Sequence, residues 1–93
     1  MGVYNTTPQV KFGRLNEIRV GDKEWFEWLE QNRHFHITTY AGSFSARKEK
    51  RRNGFYWYGV KKVLGRVKKK YLGASGQLTN QALYDVAQQL SAV

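Results

Sequence analysis

The sequence predicts an α+β fold: a three- or four-stranded antiparallel sheet packed on a C-terminal helix, with a short N-terminal helix ahead of it. Three observations predict it. Phe35, Ile37 and Thr39 alternate with His34, His36 and Thr38, the period of a strand with one buried face. Leu64-Gly65 separates two strand-like runs by the length of a tight hairpin turn. Leu83, Val86, Ala87 and Leu90 recur at i, i+3, i+4 and i+7, an apolar stripe that needs a sheet to cover.

Taken in order, residues 1–9 are polar and aperiodic and read as a flexible N-terminal arm, leaving 10–93 as a single domain. Val10, Phe12, Leu15, Ile18 and Val20 supply apolar anchors without a clear period. From Asp22 the pattern changes. Trp25, Phe26, Trp28 and Leu29 stand against Glu24, Glu27 and Glu30, a short amphipathic helix with acids near its positive end and Asp22 as N-cap. Trp25 and Trp28 are expected in the core.

The strand at Phe35 turns at Ala41-Gly42-Ser43 into a second, 44–50. Asn53-Gly54 marks the next turn, a third strand covers 55–62, and a fourth returns over 66–72. Residues 73–77 read as a loop, and Thr79 as the N-cap of the final helix.

A two-residue turn at Leu64-Gly65 opposes Val63 to Arg66 and Lys61 to Lys68, so Tyr56, Tyr58, Val60, Val67 and Tyr71 share a face. That face is expected to meet the helix. Trp57, Gly59, Lys61, Arg66, Lys68 and Lys70 then point to solvent, with Trp57 the one exposed tryptophan. In the preceding hairpin, a three-residue loop with Gly54 left-handed keeps Phe44 and Ala46 in the core and sets Arg47 and Glu49 beside Trp57.

Charge is concentrated. Eleven of the 16 Lys and Arg residues lie between Arg47 and Leu72, where the only acid is Glu49, and the whole chain carries +9. Interleaved Phe55, Tyr56, Trp57, Tyr58 and Tyr71 argue for a folded basic face rather than a solvated tail. Gly59, in mid-strand, permits close backbone approach. Unopposed cations with an indole among them predict a polyanion-binding face, with Arg47, Lys48, Arg51, Arg52, Trp57, Lys61, Arg66, Lys68 and Lys70 as its nucleic-acid-binding residues.

Other function classes find less support. Without cysteine, disulfides, thiolate zinc sites and cysteine nucleophiles are excluded. No nucleophile elbow, His-Glu helix motif or Gly-rich phosphate loop occurs, so neither enzyme activity nor a cofactor is expected. His34 and His36 lie two apart on one strand face with no third ligand at suitable spacing, and are read as surface or structural rather than metal-binding. No apolar stretch approaches the ~20 residues that span a bilayer, and no signal pattern opens the chain. No membrane role is expected, and the location expected is the cytoplasm, in association with the nucleoid.

The order of Trp25-Phe26-Glu27-Trp28-Leu29, Phe44-Ser45-Ala46-Arg47-Lys48-Glu49-Lys50, Tyr56-Trp57-Tyr58-Gly59, Lys69-Lys70-Tyr71-Leu72-Gly73 and Leu78-Thr79 resembles a bacterial module of LuxR-type regulators and mobile-element proteins. The likeness runs over roughly residues 18–90. The architecture is also similar to the arm-type DNA-binding domain of tyrosine integrases and the plant ethylene-responsive-factor domain. There a three-stranded sheet enters the major groove, which implies Arg47, Trp57, Lys61, Arg66 and Lys68 on the DNA side here. It further implies membership of a larger regulator or recombinase system.

The expected partner is therefore double-stranded DNA, bound by the basic sheet face in the major groove. A second reading is single-stranded DNA or RNA stacked on Trp57. A third is an interaction module for an acidic protein.

Overall fold

The computed structural model describes residues 7–91 and is α+β, with two helices and a seven-stranded mixed sheet. The strands are β1 (Gln9–Lys11), β2 (Arg14–Leu15), β3 (Ile18–Arg19), β4 (His34–Thr39), β5 (Gly42–Arg51), β6 (Gly54–Val63) and β7 (Arg66–Gly73). Helix α1 (Lys23–Gln31) precedes β4, and a 3-10 turn (Ser75–Gln77) leads into α2 (Asn80–Ser91). The sheet order is β3-β2-β1-β4-β5-β6-β7.

Strands β4 to β7 are the antiparallel sheet that the sequence predicts; β1 to β3 extend it. Strand β1 pairs with β4 in parallel, Val10 beside Ile37, so the sheet is mixed. Two- and three-residue strands are too short to register a period of two, which is why Val10, Leu15 and Ile18 read only as isolated anchors. The expected arm overlaps this extension. Gln9 opens β1, and the Pro8 carbonyl, just before it, accepts from His36 N of β4 at 2.8 Å. Residues 1–6 of the arm lie outside the described residues.

Both helices lie on one face of the sheet. On α1, Trp25 and Leu29 are buried, and the Trp25 ring meets Phe35 at 5.4 Å. Asp22 takes the N-cap position, and its carbonyl, not its side chain, receives the first helical amide, Trp25 N, at 3.1 Å. On α2 the stripe Leu83, Val86, Ala87 and Leu90 is buried, and Thr79 Oγ1 accepts from Ala82 N at 3.2 Å as an N-cap does.

The final hairpin has the expected register, Val63 opposite Arg66 and Lys61 opposite Lys68. Leu64 and Gly65 both take positive φ, 52° and 80°, the signature of a type I′ turn. The earlier hairpin differs. Its loop is Arg52-Asn53, with Arg51 opposite Gly54, so Ala46 faces Gly59 and Lys48 faces Trp57. Gly54 has the expected positive φ, but it is a paired residue at the strand end.

That single-residue difference turns β6 over. Phe44 and Ala46 are in the core as expected, but so are Trp57 and Gly59, whereas Tyr56, Tyr58 and Val60 face away from the helices. Two physical terms select this side. Burying an indole removes roughly 150–250 Å² from water, about 4–6 kcal/mol gross at about 25 cal/mol per Å². Its single N–H finds one partner, Ser75 Oγ, at 3.0 Å. Turning Tyr56, Tyr58 and Tyr71 inward would instead require partners for three hydroxyls, each costing about 1–3 kcal/mol if left unsatisfied.

Gly59 completes the argument. A Cβ at this position would lie 3.0 Å from the Phe44 ring and from Val86 Cγ1, so the missing side chain is what lets α2 settle on the sheet. The close approach expected at Gly59 is thus made by the protein's own helix.

Candidate nucleic-acid interface

With β6 in this orientation, the uncovered face of the sheet is drawn from even positions of β4 and β6 and odd positions of β5 and β7. His34, Arg47, Tyr58 and Tyr71 form one row across four strands. At about 4.8 Å per strand step the row spans about 14 Å, close to the roughly 12 Å width of the DNA major groove. A neighbouring row runs His36, Ser45, Val60 and Lys69. Arg51 and Lys62 lie towards opposite ends of the same face.

Tyr58 is the hub. The Arg51 guanidinium carbon lies 5.0 Å and Lys69 Nζ 4.6 Å from its ring centroid, and Arg51 Nε donates to its hydroxyl at 3.1 Å. Tyr71 meets the ring edge-on at 5.5 Å, and Tyr56 is 6.1 Å from Tyr71. Tyr56 and Tyr58 are half-buried, whereas Tyr71 is 57 % exposed. The tyrosines therefore pack against one another, and Tyr58 holds Arg51 and Lys69 over its ring.

Glu49 sits between Arg47 and Arg51 on β5. Its carboxylate pairs with Arg51 and with Lys69 Nζ, the latter at 2.8 Å from Oε2. The Lys69 hydrogen bond, reinforced by the charges of Lys69 and Arg51, holds the Glu49 carboxyl below its ordinary pKa, so it is ionised at neutral pH. On the rim, a groove of about 490 Å³ brings Arg33, His34, Arg47 and Lys48 together. His36 Nδ1 lies 3.3 Å from Ser45 Oγ. Among the described residues no cluster of three or more His, Cys, Asp or Glu side chains forms a metal site, and no helix is long and apolar enough to cross a membrane.

The residues singled out from the sequence separate into two sets. Arg47 and Arg51 are on the open face, and Arg52 is exposed at the β5–β6 turn. Trp57 is 0 % exposed, correcting its expected place as a surface indole. Lys48 lies on the helix side. Its Nζ donates to Glu30 O at 3.2 Å, where α1 has no basic residue in its own last turn, and stands 5.4 Å over the Trp57 ring. Lys61 is on that side too, donating to Ser91 Oγ at 3.1 Å. Lys68, half-buried, lies opposite Lys61, while Arg66 and Lys70 are exposed on the same side of β7.

The structure thus divides the predicted basic face between the two sides of the sheet. The residues of the open face that sequence reasoning missed are Tyr56, Lys62, Lys69 and Tyr71. Their signal was present: placing Trp57 in the core assigns each of them outward by alternation. Compared with known proteins, the chain matches no family model, no curated protein and no solved structure.

Proposed function

We propose that the open face of β4–β7 binds duplex DNA by entering the major groove. Arg47, Arg51, Lys62 and Lys69 contact phosphates, and Tyr56, Tyr58 and Tyr71 lie against sugars or base edges. One observation carries the reading. The helices cover one side of the sheet, and the other is a surface about a groove wide that presents these cations and tyrosines around Glu49, its one acid among the described residues. In this reading the domain serves as the DNA-contacting part of a regulator or recombinase, in the cytoplasm.

The single-strand reading loses Trp57, which is buried, and rests instead on the exposed ring of Tyr71. Titration of labelled random duplex and matched single strand at two salt concentrations tests the proposal. About four phosphate contacts give a log–log salt slope near −3.6, at about 0.9 released counterions each. Tighter, salt-dependent duplex binding supports groove entry. Equal affinity for oligo-dT favours single strands, and no binding to either directs attention to an acidic protein partner.

A further inference from the structure

A carboxylate on a phosphate-binding surface repels its ligand, yet Glu49 stands in the middle of this one. Among the described residues it is the only acid on strands β4 to β7; Glu24, Glu27, Glu30 and Asp85 are on the helices, Asp22 caps α1 and Glu17 lies in the turn between β2 and β3. Fold stability does not account for it. Its partners Arg51 and Lys69 have side chains 47 % and 44 % exposed, and solvated ion pairs of this kind contribute little.

The geometry does account for it. Oε1 accepts from Arg51 Nη2 and from Lys69 Nζ, while Oε2 lies 2.8 Å from Lys69 Nζ, its one partner among the described residues. A carboxylate has about four acceptor positions, so one on Oε2 is open, in a side chain held by two cations and 25 % exposed. In the major groove, the cytosine N4 amino group is the donor with no acceptor beside it on its own base, whereas adenine N6 is flanked by N7, which opposes a carboxylate. We infer that Glu49 is a base-reading residue of this face, accepting a hydrogen bond from cytosine N4 while Arg51 and Lys69 fix its carboxylate. The inference rests on duplex binding by the open face.

Selection from a randomised duplex library by the wild-type chain, Glu49→Ala and Glu49→Gln tests it, with urea midpoints confirming that each variant is folded. The wild type is expected to select a motif holding a cytosine, with about 5- to 150-fold discrimination at that base pair. Glu49→Ala should lose preference at that position alone while binding unrelated duplex equally or more tightly. Glu49→Gln should move the preference towards adenine, which an amide reads at N6 and N7. An unchanged motif in Glu49→Ala overturns the inference, as does wild-type duplex binding without preference. Loss of preference spread over every position makes Glu49 a positioning residue for Arg51 and Lys69 and overturns base reading. Absence of duplex binding by the wild type overturns the functional reading as well.

Discussion

The indole Nε1 of Trp57 donates to Ser75 Oγ at 3.0 Å, joining the middle of β6 to the turn that leads into α2. This bond lies beneath the helices, against Phe35, whose ring is 5.2 Å from that of Trp57. It marks the side of the sheet to which β6 commits its largest residue.

Trp57 is therefore expected to govern stability. Trp57→Ala should cost about 3–5 kcal/mol, a large part of the 5–15 kcal/mol typical of a domain. Trp57→Phe keeps most of the packing and should cost about 1–3 kcal/mol through the orphaned Ser75 hydroxyl and the lost ring volume. Urea unfolding measures both. Trp57→Phe should bind duplex as the wild type does, and a selective loss of binding in this folded variant would place the indole back in the interface.

Gly59→Ala should destabilise by about 1–3 kcal/mol, because its Cβ meets Phe44 and Val86 at 3.0 Å and either α2 or the Phe44 ring must shift. Thermal unfolding reads this directly. A neutral or stabilised variant would mean that α2 does not press on β6 as described.

The two sides of the sheet should respond differently to loss of charge. Arg47→Ala and Lys69→Ala should each weaken duplex binding and reduce the salt slope by about 0.9. Lys61→Ala and Lys70→Ala, on the helix side, should leave the slope at the wild-type value. Salt-dependent binding isotherms of the four variants check this, and the reverse pattern would return the interface to the Trp57 side.

A small part of the pH dependence of stability should come from Glu49. Its folded pKa lies below the ordinary carboxylate value, chiefly through the Lys69 hydrogen bond, so the folded state holds its proton less tightly than the unfolded chain. The contribution is complete above the unfolded pKa and disappears as pH falls through the folded one. Urea midpoints of the wild type should thus fall more between about pH 7 and about pH 3 than those of Glu49→Gln. Parallel falls would mean that the Glu49–Lys69 pair adds nothing measurable to stability.

Much of this architecture is legible along the chain. The stripe at Leu83, Val86, Ala87 and Leu90, the N-cap at Thr79, the alternation at Phe35 and Ile37 and the Leu64-Gly65 turn are local signals whose residues meet within a few positions. The candidate face was half legible for a related reason. Alternation places Arg47 and Arg51 outward because Phe44 and Ala46 are plainly apolar, whereas β6 offers apolar side chains on both its faces. Tyr56, Tyr58 and Val60 compete there with Trp57, and alternation alone has no means to rank them.

By itself the sequence determined strands β4 to β7, the two helices and the cationic block, because these follow from period, turn chemistry and charge within short segments. Only the tertiary structure decided which face is open. The partner that buries Trp57 is a set of distant groups, Phe35 on β4, Ser75 before α2 and the space above Gly59 that admits Val86, and no local pattern announces their meeting. The same holds for β1, whose parallel place beside β4 depends on a crossover through α1 and on hydrogen bonds between residues far apart in the chain.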